Sequence, residues 1–166
     1  LIDDLSANQL DWTIVIFHHP PYSKGSNHDS DREQNEIDMR QTFAPVFEDY
    51  GVDVVYSGHA HSYERSWYVN GHHGMSDTFD PATQALLNVK GEPSMGQQGE
   101  LYPQLDSSGA DKRTVYTVAG SSGKAGRQSP CAEGQFQGCT LPNWLEHPVH
   151  RTFDEAKPGY RKNGLA

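Results

Sequence analysis

The run Trp12-Thr13-Ile14-Val15-Ile16-Phe17 constrains this chain more than any other segment, because it ends abruptly at His18-His19-Pro20-Pro21. Six consecutive aromatic and β-branched residues predict a strand buried on both faces. Two prolines cannot donate to a ladder, so the chain must leave the sheet directly after the histidines. A second run, Val52-Asp53-Val54-Val55-Tyr56, ends in Ser57-Gly58-His59-Ala60-His61. Between them, residues 22–36 are polar and read as a long loop. Ile37, Arg40, Gln41, Ala44, Phe47 and Glu48 then fall at helical spacing, Met39, Phe43 and Val46 widen the apolar face, and Gly51 suits the helix end. Pro45 is expected to kink or split that helix. Strand, loop, helix, strand is a βαβ unit with parallel strands. Both strands leave the sheet at their carboxyl ends, the edge where open α/β sheets bind ligands, so His18 meets His59 and His61 there.

The 166 residues fit one domain, yet only 30 are Leu, Ile, Val or Phe, and 16 of those lie in residues 1–70. The core is therefore expected in residues 1–70. Residues 71–112 read as a polar insertion, with a turn at Asn70-Gly71 and a brief helical hint over 81–89. Residues 113–166 supply a late strand, Thr114-Val115-Tyr116-Thr117-Val118, then the Gly-rich turn Ala119-Gly120-Ser121-Ser122-Gly123 and an irregular tail. That turn could offer backbone N–H groups to an anion. Residues 63–69 form a further short strand. The acidic balance of residues 1–70 argues against nonspecific nucleic-acid binding, and no apolar stretch is long enough for a membrane span. The chain starts Leu1-Ile2-Asp3-Asp4, without Met or a basic leader, so its natural start is expected upstream. Cys131 and Cys139 can form a small disulfide, which implies an oxidising compartment, or remain two thiols; they lack the spacing of a zinc knuckle.

Nine histidines are the chemical signal. Neutral imidazole binds zinc, iron and manganese, so histidines clustered at strand ends suggest a metal site. The glycine in Gly58-His59-Ala60-His61 is expected to let the backbone turn sharply. His18 and His19 are adjacent, and in extended backbone only one faces the site. His28, in the long loop, is either a proton donor and anion contact or a solvated side chain. His72 and His73 are expected on the surface, and His147 and His150 receive no role. The chain shows no Walker lysine loop, nucleophile elbow or His-Glu-x-x-His helix.

These residues resemble a known family. Val15-Ile16-Phe17-His18 is similar to the VxxH motif, and Gly58-His59-Ala60-His61 to the GHxH motif, of calcineurin-like metallophosphoesterases. The longer string Gly58-His59-Ala60-His61-Ser62-Tyr63-Glu64-Arg65-Ser66 resembles the purple acid phosphatase branch, and residues 114–123 resemble its late strand and turn. The resemblance implies an α/β chain that is part of a four-layer α-β-β-α sandwich, with the N-terminal half missing. It implies hydrolysis of phosphate monoesters by hydroxide activated at a binuclear metal centre, Fe(III) with Zn, Mn or Fe(II). His18 and His59 would bind the divalent metal, His61 the iron, and His28 would contact the phosphoryl group and aid the leaving group. Asp29 stands where many members have a second substrate-binding histidine. Small phosphorylated substrates and a secreted, periplasmic or extracellular location follow from the same resemblance, which fixes no oligomeric state. No series of DxG, GDxxY and GNH(D/E) precedes His18, and Ser26-Asn27-His28-Asp29 echoes the last of these out of order. The ligand set is thus partial, and the chain alone is expected to be inactive. A phosphodiesterase or nucleotidase on the same scaffold, or a catalytically inactive metal-binding module, are the alternatives.

Overall fold

The computed structural model describes residues 1–24, 28–61, 63–91, 93 and 112–120, and the backbone of residues 150–151. The Cys131 and Cys139 pair, the turn beyond Gly120 and His147 lie outside the described residues.

The fold is mixed α/β. Helix α1 (Ile2–Ala7) leads into β1 (Ile14–Ile16), then α2 (Gln34–Asp38), a wide π-type turn (Met39–Phe43), α3 (Ala44–Asp49), β2 (Val54–Ser57) and β3 (Tyr63–Val69). A short α4 (Pro81–Gln84), β4 (Thr114–Ala119) and β5 (His150–Arg151) follow. The sheet order is β1-β2-β4-β3-β5. Strands β1, β2 and β4 are parallel, with Ile14 opposite Val54 and Val54 opposite Val115. Strand β3 runs antiparallel to β4 and β5. The carboxyl ends of the three parallel strands and the start of β3 therefore share one edge.

Pro45 explains the break in the helix. It has no N–H for the carbonyl four residues back, Gln41, and the turn before it opens to π spacing while Pro45 itself occupies the first turn of α3. Phe47 and Ala44 of α3 then pack on Val55, Val52, Tyr22 and Tyr116, and Phe17 stacks on Phe47 with ring centroids 5.6 Å apart.

Among the described residues, only one face of β1 is covered. Val15 and Phe17 join the core, but Ile14 and Ile16 are 56% and 77% exposed, so the expectation of a strand buried on both faces is corrected. The reason is position: β1 is the sheet's edge strand, and the helices lie on one side. Alternate side chains of β1 and β2, together with Trp12 and Tyr56, form an open apolar face of the kind a sandwich layer presents to an opposing sheet.

Two buried charged side chains pin the loop after His18. The Arg40 guanidinium donates through Nη1 to the carbonyls of Pro21 (2.9 Å) and Ser30 (2.8 Å). Glu64, at the start of β3, accepts from the Ser23 hydroxyl (2.9 Å) and the Lys24 N–H (3.0 Å). The surface expectation for His72 is also corrected. It is 1% exposed, its carbonyl accepts from the Tyr22 hydroxyl and its Nε2 donates to Met75 O at 3.0 Å. Burial holds its pKa below the ordinary histidine value. His73 is half-buried and reaches Glu48 at 2.8 Å.

Candidate metal centre

The β1–β2 ladder continues past the strands: Phe17 N–H donates to Tyr56 O (3.1 Å) and Gly58 N–H to His18 O (3.0 Å). This places His18 beside the turn that carries His59. His59 adopts φ 61, the left-handed region that non-glycine residues seldom occupy. The sharp turn therefore falls on His59, not on Gly58 as expected. A Cβ on Gly58 would lie 3.6 Å from His18 Nδ1, an ordinary contact.

That conformation turns the His59 ring back over β1. Its Nδ1 lies 3.3 Å from His18 Nε2, and the two rings meet edge to face at 5.2 Å. Two nitrogens on one cation with bonds of about 2.0–2.1 Å lie roughly 2.9–3.4 Å apart, so the pair fits a shared divalent metal. His19 joins them: His18, His19 and His59 offer nitrogens within 4.8 Å of one another. Burial, then the neighbouring His59 and His18, hold the His19 pKa down, with Glu33 pulling the other way.

On the opposite side of the His59 ring, Nε2 lies 3.1 Å from Glu33 Oε2. Glu33 Oε1 pairs with His28 Nδ1 at 2.8 Å and accepts from the Asp29 N–H at 3.3 Å. The His28 and His59 rings sit 3.9 Å apart. Burial raises the Glu33 pKa, but the hydrogen bonds from His59 and His28 outweigh it and leave a net lowering.

His28 thus meets His59 on one side as His18 does on the other, while His61 is exposed and, among the described residues, belongs to neither group of donors within 4.8 Å. Asp29 turns its carboxylate to Lys24 (2.9 Å) and Arg32 (3.4 Å). Both adjacent histidines join one donor group, which corrects the expectation that only one of His18 and His19 faces the site. Glu33 is the residue that no sequence motif marks, although its place between His28 and the helix start was a usable signal. The donor set, mostly imidazole with one carboxylate, suits zinc, iron or manganese.

Residues 1–63 match the family model for calcineurin-like phosphoesterases. This segment is similar to that family. Purple acid phosphatase 1 of Ipomoea batatas is 30% identical over 108 residues, covering 65% of this chain and 20% of that protein. Purple acid phosphatase 19 of Arabidopsis thaliana is 39% identical over 69 residues, 40% of this chain and 17% of the relative. Phosphoenolpyruvate phosphatase of Allium cepa is 39% identical over 59 residues, 36% of this chain and 11% of the relative. The chain thus spans about a fifth or less of the curated relatives it matches. The calcineurin-like phosphoesterase family hydrolyses phosphoesters with metal ions, and the turn carrying Gly58-His59-Ala60-His61 lies within the matched segment. Among the described residues no helix is long and apolar enough to cross a membrane.

Proposed function

We propose that this chain supplies the second-half metal and substrate ligands of a purple acid phosphatase-type enzyme that hydrolyses phosphate monoesters outside the cytosol. The observation that carries the reading is the 3.3 Å approach of His18 Nε2 and His59 Nδ1 at the carboxyl ends of adjacent parallel strands. In this reading His18 and His59 hold the divalent metal, Zn, Mn or Fe(II), and His61, on the far side of the same turn residue Ala60, serves the Fe(III). When bound, such a metal pair supplies Lewis acidity to phosphoryl oxygens and lowers the pKa of water. His28, tied through Nδ1 to Glu33, has Nε2 as its other ring nitrogen for a phosphoryl oxygen or the departing alkoxide. The names of the plant relatives support the phosphatase assignment, and their phosphorylated substrates are small molecules in at least the onion case.

Metal analysis tests this directly. His59→Ala is expected to weaken zinc binding roughly 100-fold or more, since it removes a ligand and not a supporting contact. In the longer enzyme His61→Ala is expected to lose the iron and keep the divalent metal. Unchanged metal content in both variants sinks the assignment.

A further inference from the structure

Glu33 has no motif to announce it, yet one carboxylate touches both His59 and His28. Its Oε2 meets His59 Nε2 at 3.1 Å, and its Oε1 meets His28 Nδ1 at 2.8 Å and the Asp29 N–H at 3.3 Å. The residue stands at the N-terminal boundary of α2, where the backbone N–H groups of Glu36 and Ile37 donate to its carbonyl, at 3.1 and 3.0 Å. The carboxylate is thus held by three donors on a fixed backbone.

The consequence concerns where protons sit. A neutral imidazole carries one N–H, and the hydrogen bond made by one nitrogen sets what the other can do. An ionised carboxylate accepts only, so each ring must offer Glu33 an N–H. His59 then bears its proton on Nε2, which leaves the Nδ1 lone pair facing His18 Nε2. His28 bears its proton on Nδ1, which leaves Nε2 as the atom that exchanges a proton or contacts an anion.

We propose that Glu33 is a positioning residue whose single carboxylate bridges His59 and His28, fixing the tautomer of both, so that one ring presents Nδ1 to a divalent cation and the other presents Nε2 to the phosphoryl group. The inference rests on the metal reading of His18 and His59 given above. It couples the two: the carboxylate that strengthens a metal ligand also orients the proton carrier. A competing role exists, since His28, Glu33 and His59 also lie within 4.8 Å as a possible donor group. There Glu33 would itself be a ligand, and His59 would bind through Nε2. The nitrogen of His59 that takes the metal separates the two roles.

The test is nitrogen-15 NMR of the imidazoles in the full chain, metal-free and titrated with zinc, for the wild type, Glu33→Gln and Glu33→Asp. In the metal-free wild type near neutral pH, His59 is expected as the Nε2–H tautomer and His28 as the Nδ1–H tautomer, a result that needs no variant to fold. Zinc should then perturb His59 Nδ1. In Glu33→Gln the amide can accept from one ring only and must donate to the other, so one tautomer should flip, and zinc affinity should fall about 10- to 100-fold. Glu33→Asp keeps an acceptor but is too short to span both rings, and should hold one tautomer and lose the other. Unchanged tautomers and zinc affinity in Glu33→Gln overturn the proposal and leave the His18–His59 site standing. Zinc on His59 Nε2 overturns it by making Glu33 a ligand. Zinc perturbing neither nitrogen of His59 in the wild type removes the site reading itself, and the proposal with it.

Discussion

Gly120→Ala is expected to destabilise the chain by about 3 kcal/mol or more and to abolish zinc binding at the His18–His59 pair. A Cβ built on Gly120 falls 1.8 Å from the carbonyl oxygen of Ala60 and 2.7 Å from its carbon. Both are backbone atoms, so no rotamer change relieves the overlap. Either the end of β4 or the turn Gly58-His59-Ala60-His61 has to move. The turn is the weaker party, because it already carries His59 at φ 61. A shift there rotates His59 away from His18. Gly71→Ala is the matching control: Gly71 has φ +77 but nothing among the described residues within 4 Å of its Cβ position, so it bears backbone strain of about 1 kcal/mol. Urea unfolding of the two variants, with zinc titration of each, compares contact with conformation. Equal midpoints for Gly120→Ala and the wild type would mean that β4 does not press on the turn.

The same contact shows why parts of the site were legible in the sequence and parts were not. Local pattern sufficed wherever the chain is its own context. The apolar runs, Pro20-Pro21 and Pro45 each act through their own backbone, and the parallel βαβ pairing of Ile14 with Val54 follows from them. Hence the sequence alone puts His18 and His59 at one edge. Burial was less legible, because it depends on what covers a face. Ile14 and Ile16 have the composition of a buried strand but lie on the open side, whereas His72, polar and next to a turn, is enclosed by Tyr22, Phe79 and the Met75 carbonyl. By sequence pattern Gly120 reads only as part of a strand-ending turn or an anion cradle. Its need for a bare Cα comes from Ala60, a residue 60 positions away, and no local rule reports such an approach. Glu33 escaped for the same reason: a carboxylate in a polar loop is unremarkable until two rings close on it.

Glu36 is expected to make the stability of this scaffold fall as pH rises, and Glu36→Gln to remove most of that fall. The side chain is fully buried, and neither carboxylate oxygen has a hydrogen-bond partner among the described residues. Burial, reinforced by Glu33, Glu64 and Asp29, pushes its pKa up from 4.5 to about 8, with Arg40 opposing. Arg40 is one helical turn away, but its Nη1 donates to Pro21 and Ser30, not to Glu36. The sign follows from proton counting. Below about pH 4.5 the group is neutral in folded and unfolded chains alike and stability is unaffected. Between pH 4.5 and about 8 the unfolded chain releases the proton while the folded chain retains it, so stability drops by about 1.4 kcal/mol per pH unit. Above pH 8 both forms are ionised and the loss, on the order of 3–5 kcal/mol, is complete. Denaturant unfolding of the wild type and Glu36→Gln at pH 5, 6.5 and 8 should give curves that converge at pH 5 and separate in favour of the variant by pH 8. Parallel curves across this range would show that Glu36 ionises normally. The effect bears on the site through Arg40, which shares the helical segment with Glu36 and anchors both ends of the loop carrying His28. Ionisation of Glu36 is expected to draw on that guanidinium and weaken its hold on Pro21 and Ser30, an effect that amide exchange of the loop in the wild type and Glu36→Gln at pH 6 and 8 would reveal.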